Sequence, residues 1–539
     1  MPSNSSGADA SAGGWTPTRS VAGGRNPWTI IAVISIATFM VVLDTSIANV
    51  ALAHIAGSVS ASYDEATWVI TSFLISNAVV IPISGWLADA IGRKRYYMMS
   101  VALFTFSSLM CGLAPNLAFL VIARILQGIG GGGLAPVEQS MMVDTFPPAK
   151  RGAAFAAYGV VVIVGPVLGP SLGGWITDNL SWHWVFLINV PIGLLSLFLV
   201  SLYVEEPEAM ERARKKLLGQ GLRIDLAGFA LVALFLGCLE VTLDRGQRED
   251  WFSSPMITGF AIVSALSLIA FIPWELTRKD PIVRIDLYGN RNFLIANIFM
   301  MVMGVIVFGT TQFIPQLLQE VLGYTATNAG LALTMGGLAT LLVMPLAGFL
   351  TGRVDARILI GVALAIQGIA LWNMSTLDTQ MSFGNAAMAR LVQSVGLPFL
   401  FVPITNAAYV GLKPSENNQA SALMNVSRNL GGTFGISLVQ TMLARQAQVH
   451  QAQYVEQLNP LNPNYANALS HATHVLMAQG LSQADAAKAA AAEIYRGLGQ
   501  QASMLSYIDV FHVLMIAVFC ALPLVFLMQK PKPAGGAAA

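Results

Sequence analysis

Charge is scarce in this 539-residue chain. Lys, Arg, Asp and Glu make up only 11% of it, against roughly 25% in an ordinary soluble domain, which is the composition of a membrane protein. The 29 basic and 28 acidic residues nearly cancel, for a formal charge of +1. Overall charge therefore builds neither a basic face for nucleic acid nor an acidic one for a cationic partner, and no nucleic-acid partner is expected. Cysteine is almost missing. Cys111, Cys238 and Cys520 all lie in apolar runs, and an odd number without CxxC spacing excludes a disulfide frame and a zinc site. No nucleophile stands beside a base, no loop is built to cradle phosphate, and His471 and His474 of SHATH lack carboxylate or thiol company. An enzyme is the least expected reading, and no metal is expected.

Long apolar runs are what the chain has instead; 55% of its residues are hydrophobic. A window of about 20 residues finds fourteen candidate spans, starting near 28, 68, 97, 117, 153, 183, 224, 256, 293, 328, 357, 386, 420 and 508. The weakest are those near 117, interrupted by Arg124 and Glu138, and near 420, interrupted by Asn425, Arg428 and Asn429. No cleavable small-residue site follows the first run, which is too long for a signal-peptide core, so it reads as a retained helix. Most Lys and Arg fall in the segments that share a side with the amino-terminal tail, Arg93, Lys94, Arg95, Lys150 and Arg151 among them. Basic residues in short loops favour the cytoplasm, so both termini are predicted to be cytoplasmic.

The loops repeat. GWLADAIGRK at 85–94 resembles GFLTGRVDAR at 348–357, RILQGIG at 124–130 resembles RLVQSVG at 390–396, and the spans near 28 and 293 keep the same spacing of 263 to 266 residues. Such agreement implies a duplication. The predicted fold is an all-α integral membrane protein of two six-helix bundles plus two inserted helices, a transporter architecture that holds substrate near the midplane between its repeats. Its expected parts are a disordered cytoplasmic tail at 1–26, an amino-terminal bundle at 27–205, a linker with the inserted pair at 206–280, a carboxy-terminal bundle at 281–530 and a disordered tail at 531–539. Within the second bundle, the polar, Ala/Gln-rich stretch 444–507 predicts a periplasmic helical hairpin, with NPLNPNY at 459–465 as its turn. It is either a passive loop or a docking surface for a partner.

A few polar residues interrupt the spans. Asp44 lies in FMVVLDTSIANVAL, where a charged Asp at mid-membrane costs about 2.5 to 3.5 kcal/mol on insertion scales and commonly lines a pathway. It either caps Thr45 or Ser46 or exchanges a coupling proton. Arg124, followed by Gln127 and GIGGGG, cannot lose its charge and must find acceptors or a carboxylate; backbone carbonyls would serve a purely structural role. Glu138 is a second titratable candidate. GPVLGPSLGG at 165–174, with Gly165, Pro166, Gly169, Pro170, Gly173 and Gly174, is built for kinking or for close helix packing. The loop GWLADAIGRKR, with Gly85, Asp89, Gly92 and Arg93, either anchors topology by charge or latches the two bundles, Asp89 pairing with a basic group or a helix N-terminus of the other half in one state. Arg390 and Gln393 repeat the arginine motif in the second half. Glu240 and Asp244 are expected at the outer interface of the inserted pair.

These stretches resemble the major facilitator superfamily and, within it, the fourteen-span drug:proton antiporters. LDTSIANVAL is similar to the family's first-helix signature, GWLADAIGRKR to its loop between helices two and three, RILQGIGGG to its fourth-helix arginine signature and GPVLGPSLGG to its helix-five antiporter signature. SWHWVFLINVPIG (181–193), LDRGQREDWFSS (243–254), PQLLQEVLGYTATNAGL (315–331) and the long loop before the last span look like the EmrB-type multidrug efflux pumps of bacterial inner membranes. The resemblance implies that Asp44 takes part in proton coupling, Arg124 in proton or substrate handling, and Asp89 with Arg93 in gating. Glu138 is not part of the pattern, and Gly352 stands where a second Asp89 would be, so the latch is expected to be one-sided.

It also implies export of small hydrophobic compounds from among the membrane lipids, without a cofactor because the proton gradient drives it. A periplasmic adaptor of the EmrA (membrane-fusion) type and an outer-membrane channel of the TolC type would be partners, which would give the 444–507 hairpin its task. The rival readings are proton-coupled uptake of a small nutrient by symport, and a non-transporting scaffold or receptor.

Overall fold

A computed structural model describes residues 26–206, 211, 225–278, 280–459 and 461–529. The tails assigned to 1–26 and 531–539 and most of the linker from 206 fall outside the described residues, apart from Asn26. Among the described residues the regular structure is helical. The first half holds α1 (Pro27–Ser58), the short α2 (Tyr63–Ala66), α3 (Trp68–Ile91), α4 (Arg93–Gly112), α5 (Leu117–Gly132), α6 (Leu134–Thr145), α7 (Pro148–Asn179), α8 (His183–Leu187) and α9 (Asn189–Tyr203). The inserted pair is α10 (Leu226–Arg245) and α11 (Pro255–Thr277). The second half holds α12 (Arg291–Gln316), α13 (Ala326–Thr351), α14 (Ala356–Ser375), α15 (Phe383–Ala408), α16 (Asn417–Val455), α17 (Pro463–Ala478) and α18 (Gln483–Ala521).

Among the described residues, eleven segments are long and apolar enough to cross a membrane. They include 117–145, one of the two expected to be weakest, where α5 and α6 follow each other across Gly133. Three further long helices, α4, α7 and α16, lie at expected span positions without meeting that criterion. α4 opens on RKR, α7 is glycine-rich, and α16 begins NNQAS. Each packs against several neighbours, α7 on α1 and α13, α16 on α12 and α3, so its polar faces meet protein.

The stretch from 444 to 507 is formed by extensions of two long helices with a short helix between them. α16 runs on from the bundle to Val455, and α18 begins at Gln483 and continues into it, each 39 residues long, or about 58 Å at 1.5 Å per residue. α17 packs on α18. His450 to Asp509 (2.7 Å) and Gln451 to Tyr495 (2.7 Å) tie the two extensions together. The expected turn survives as the start of α17, where Asn462 caps the helix ahead of Pro463.

The duplication is visible in the packing. Gly85 on α3 meets the α16 backbone, where a methyl group would approach the Asn418 carbonyl oxygen at 2.9 Å; Gly348 on α13 meets α7, with the Gly152 carbonyl oxygen at 3.1 Å. These crossings join the halves at the end carrying Arg93, Lys94 and Arg95, called here the basic end. Phe155 stacks on Tyr409 there (6.1 Å), and Tyr158 on Phe401 (6.5 Å).

Candidate functional site

Asp44 is completely buried on α1, and three side chains converge on it. Arg124 Nη1 donates to Oδ2 at 2.6 Å, while Gln127 Nε2 and Asn189 Nδ2 donate to Oδ1 at 2.9 and 2.8 Å. Arg124 and Gln127 share a face of α5 through their three-residue spacing. The same Nη1 also reaches Gln127 Oε1 (2.8 Å), and Arg124 Nε donates to the Val69 carbonyl oxygen (2.9 Å). Phe73 and Phe186 flank the guanidinium, their ring centres 4.4 and 5.5 Å away. Ser108 closes the network, accepting from Gln127 and Asn189 at 3.2 and 3.1 Å and donating to the Phe186 carbonyl oxygen at 2.9 Å. The result is a charge pair removed from water and hydrogen-bonded on both sides, the condition under which a buried pair is tolerated. The Asp44 side chain therefore faces Arg124; the capping partner offered by the sequence, Thr45, bonds the Val42 carbonyl oxygen instead.

Glu138 belongs to a different cluster. It is fully buried on α6, accepts from Thr38 Oγ1 (2.6 Å) and Tyr97 OH (3.3 Å), and has no cation partner among the described residues. Tyr97 also donates to the Ile34 carbonyl oxygen at 2.6 Å. Thr38 and Asp44 are six residues apart on α1, about 9 Å along its axis, so the two carboxyl groups do not share a site.

The helix-five glycines are a contact ridge. Methyl groups at Gly165 and Gly173 would come within 2.8 Å of Val42 and 3.1 Å of Ile47, and one at Gly169 would collide with Ser46; Gly174 has nothing within 4 Å. α7 runs as one helix through this motif from Pro148 to Asn179, Pro166 included, with its glycines packed on α1; the side chain of Pro170 lies outside the described residues.

At the basic end, Gly92 joins α3 to α4 with φ 100°, a conformation that glycine adopts without penalty. Asp89 accepts a hydrogen bond from the Asn418 side chain in the first turn of α16, so its partner is a neutral amide at a helix N-terminus of the other half. Arg93 instead pairs with Asp144 of its own half, and Asp144 also accepts from Asn417 Nδ2 at 2.7 Å. Ser140 donates to Asn418 Oδ1 (2.6 Å) and Asn425 to Gln139 Oε1 (2.9 Å). Sequence reasoning missed Asp144, whose only signal was its place one turn before the loop.

Arg390 Nη1 donates to Thr310 Oγ1 (3.0 Å) and Gln393 Oε1 (2.6 Å), and Gln393 Nε2 donates to Thr310 (3.0 Å). Shifting Asp44, Arg124 and Gln127 by 266 residues lands on Thr310, Arg390 and Gln393, so the second half rebuilds the network with a hydroxyl in place of the acid. Glu240 and Asp244 lie in the last turns of α10. Glu240 is only 5% exposed and both its oxygens lie 3.1 Å from Thr433 Oγ1, because α10 packs against both α3 and α16; Asp244 accepts from Thr71 at 2.6 Å.

A family model described as Major Facilitator Superfamily matches residues 34–436. The multidrug export protein EmrB of Haemophilus influenzae is 41% identical over 431 residues, 80% of this chain and 83% of that protein. The protein of the same name from Escherichia coli K12 is 37% identical over 504 residues, 93% of this chain and 95% of that one. In three dimensions the fold is similar to that of the proton:xylose symporter XylE, with a TM-score of 0.57 at 15% identity, covering 94% of this chain and 96% of the other. The duplicated helices, the shared spacing of their arginine networks and these matches have one account: this multi-pass membrane protein belongs to the Major Facilitator Superfamily.

Proposed function

We propose that this protein is a multidrug exporter that exchanges small hydrophobic compounds for protons by alternating access. Export is supported by the two relatives, both named multidrug export proteins. Proton coupling is carried by one observation, a wholly buried Asp44 whose charge is answered by Arg124 and by two amides. Protonation of Asp44 cancels the attraction that ties α1 to α5 and weakens the hydrogen bonds from α9. Its release restores them. The coupling proton thereby changes the packing of α1, the helix on which the glycine ridge of α7 rides. Glu138, on α6 but hydrogen-bonded to Thr38 of α1 and with hydroxyl neighbours alone, is a second candidate proton carrier.

The closed arrangement of Asp89, Asn418, Ser140 and Asp144 supports a state shut at the basic end. The Lys and Arg distribution favours that end as cytoplasmic, so the state is closed to the cytoplasm, with fourteen spans, both termini in the cytoplasm and the inner membrane as its site. One proton moving inward across 100 mV supplies about 2.3 kcal/mol. The α16 to α18 extensions then project into the periplasm, where they suit an adaptor of the membrane-fusion type that leads to an outer-membrane channel.

The reading is tested in proteoliposomes containing a fluorescent drug under an imposed pH gradient. Wild-type protein moves the drug only while the gradient lasts, and Asp44→Asn abolishes that movement. Gradient-independent transport, or full activity in Asp44→Asn, would refute it.

A further inference from the structure

The inserted pair is fastened to a different half at each of its ends. At the end far from the basic residues, α10 finishes against the start of α3. Asp244 accepts from Thr71 Oγ1 at 2.6 Å, Arg245 Nη2 donates to Thr67 Oγ1 at 2.9 Å, and the Arg245 guanidinium lies over the Trp68 ring, 4.5 Å from its centre. Thr67, Thr71 and Arg245 are buried, so water does not compete strongly for these contacts. They hold the pair to the first half.

At the basic end the partner is the second half. α11 packs chiefly on α10 and turns Ile262, Leu266, Ile269 and Leu276 outward, so its own hold on the bundles is the chain that follows it. Buried Glu275, in the last turn of α11, accepts from the Val283 backbone N–H at 3.4 Å. The neighbouring Ile282 carbonyl oxygen accepts from Gln419 Nε2 at 3.1 Å, and Arg284 pairs with Glu416 at 3.3 Å. Gln419 stands in the first turn of α16 beside Asn418, the residue that bonds Asp89 and Ser140. A methyl group on Gly85 of α3 would come 3.0 Å from Gln419 Cα.

These contacts close a ring. α3 holds the far end of α10, α11 leads back to the chain at 280–284, that chain holds the first turn of α16, and α16 returns to α3 at Gly85 and Asp89. The two fastenings stand a helix length apart, the 20 residues of α10 or about 30 Å. Opening the basic end separates α3 from α16 there, and the pair, held by one at each end, cannot follow both.

We propose that the inserted pair is a brace that couples the basic-end latch to the far end of the first half, with Gln419 the positioning residue that keeps Asn418 on Asp89 by its hold on the Ile282 carbonyl oxygen. Substitutions this far apart add their effects unless a rigid element couples them, so coupling is the mark of a brace. The proposal rests on the alternating-access reading, which Asn418→Ala checks separately.

The test uses full-length protein without its native cysteines, carrying Ala156→Cys at a position buried against Gly348 of the other half, and a membrane-impermeant maleimide applied to the face that carries the basic end. Thr71→Val with Arg245→Met, at the far end, raises the labelling rate about fivefold, the shift of a two-state population for one net hydrogen bond. Gln419→Met does the same. Combined, they label no faster than either alone, with all rates below that of protein unfolded in sodium dodecyl sulfate. Thr71→Ser with Arg245→Lys, which keeps the hydroxyl donor and the cation, stays within twofold of the parent. Far-end variants that label at the parent rate while Asn418→Ala labels faster overturn the brace. So does multiplication of the two effects in the combined protein, which marks independent contacts, and so does an equal rise in the conservative pair, which marks general loosening. An unchanged rate in Asn418→Ala overturns the latch of the alternating-access reading, and the brace falls with it.

Discussion

At the scale of single residues, the Asp44 network separates charge from packing. Removing one member of a buried ion pair costs about 3–5 kcal/mol, because the other charge is left without its partner. Asp44→Asn and Arg124→Gln are each expected to lower the thermal unfolding temperature of the detergent-solubilised protein, and the double variant to lower it by less than their sum. Strict additivity would mean that the pair at 2.6 Å contributes nothing as a pair. Asn189→Ala removes a hydrogen bond to a charged group, worth about 1.5–3 kcal/mol. It is expected to impair gradient-driven transport more than Ser108→Ala, which loses contacts only among neutral groups; equal effects in the same vesicle assay would contradict the geometry. Asp44 and Arg124 were legible in the sequence because lone charges stand out in apolar runs. Asn189 and Ser108 were not, since neutral polar residues in such runs carry no sign of the cavity they face.

At the scale of elements, the Gly/Pro-rich stretch of α7 is one of two glycine ridges. Gly165 and Gly169 shifted by 266 residues fall on Gly431 and Gly435 of α16, which meet α12 as the first pair meets α1; a methyl group at Gly435 would stand 2.7 Å from the Val305 backbone. Helices approach this closely only over small residues, and overpacking costs about 1–3 kcal/mol. Gly169→Val and Gly435→Val are therefore expected to lower thermal stability and transport together, while Gly174→Ala, with open space around it, leaves both unchanged. A tolerated Gly169→Val, or a damaging Gly174→Ala, would show that the ridge is not what holds these helices. The sequence displayed the glycines of α7 but left kinking and packing as alternatives, because a Gly/Pro pattern does not say which neighbour the glycines face.

At the scale of the whole molecule, the basic end is held by neutral amides as well as ions. Asn418 joins Asp89 and Ser140, and Asn417 joins Asp144, across the line between the halves. Rocking of one half must break these bonds together. Asn418→Ala is expected to shift the population toward the state open at this end. In protein lacking its native cysteines, Ala156→Cys, buried at 4% exposure against Gly348, then reacts several times faster with a membrane-impermeant maleimide applied to the face that carries the basic end. An unchanged rate would remove Asn418 from the latch.

The helical membrane class and the duplication followed from the amino-acid order alone, and Asp44, Arg124, Asp89 and Arg93 stood out in it as charges within or beside apolar runs. Insertion into lipid acts on local composition, so hydropathy and lone charges are readable along the chain. Pairing was decided by the tertiary structure: that Asp44 meets Arg124, Gln127 and Asn189, that Glu138 stands apart, that Arg93 turns to Asp144, and that Glu240 is buried. Each of these depends on which helix faces which, with partners as far apart as 145 residues in the Asp44 network and 193 for Glu240. Such distances are set by how small residues allow helices to approach, and no local pattern records them.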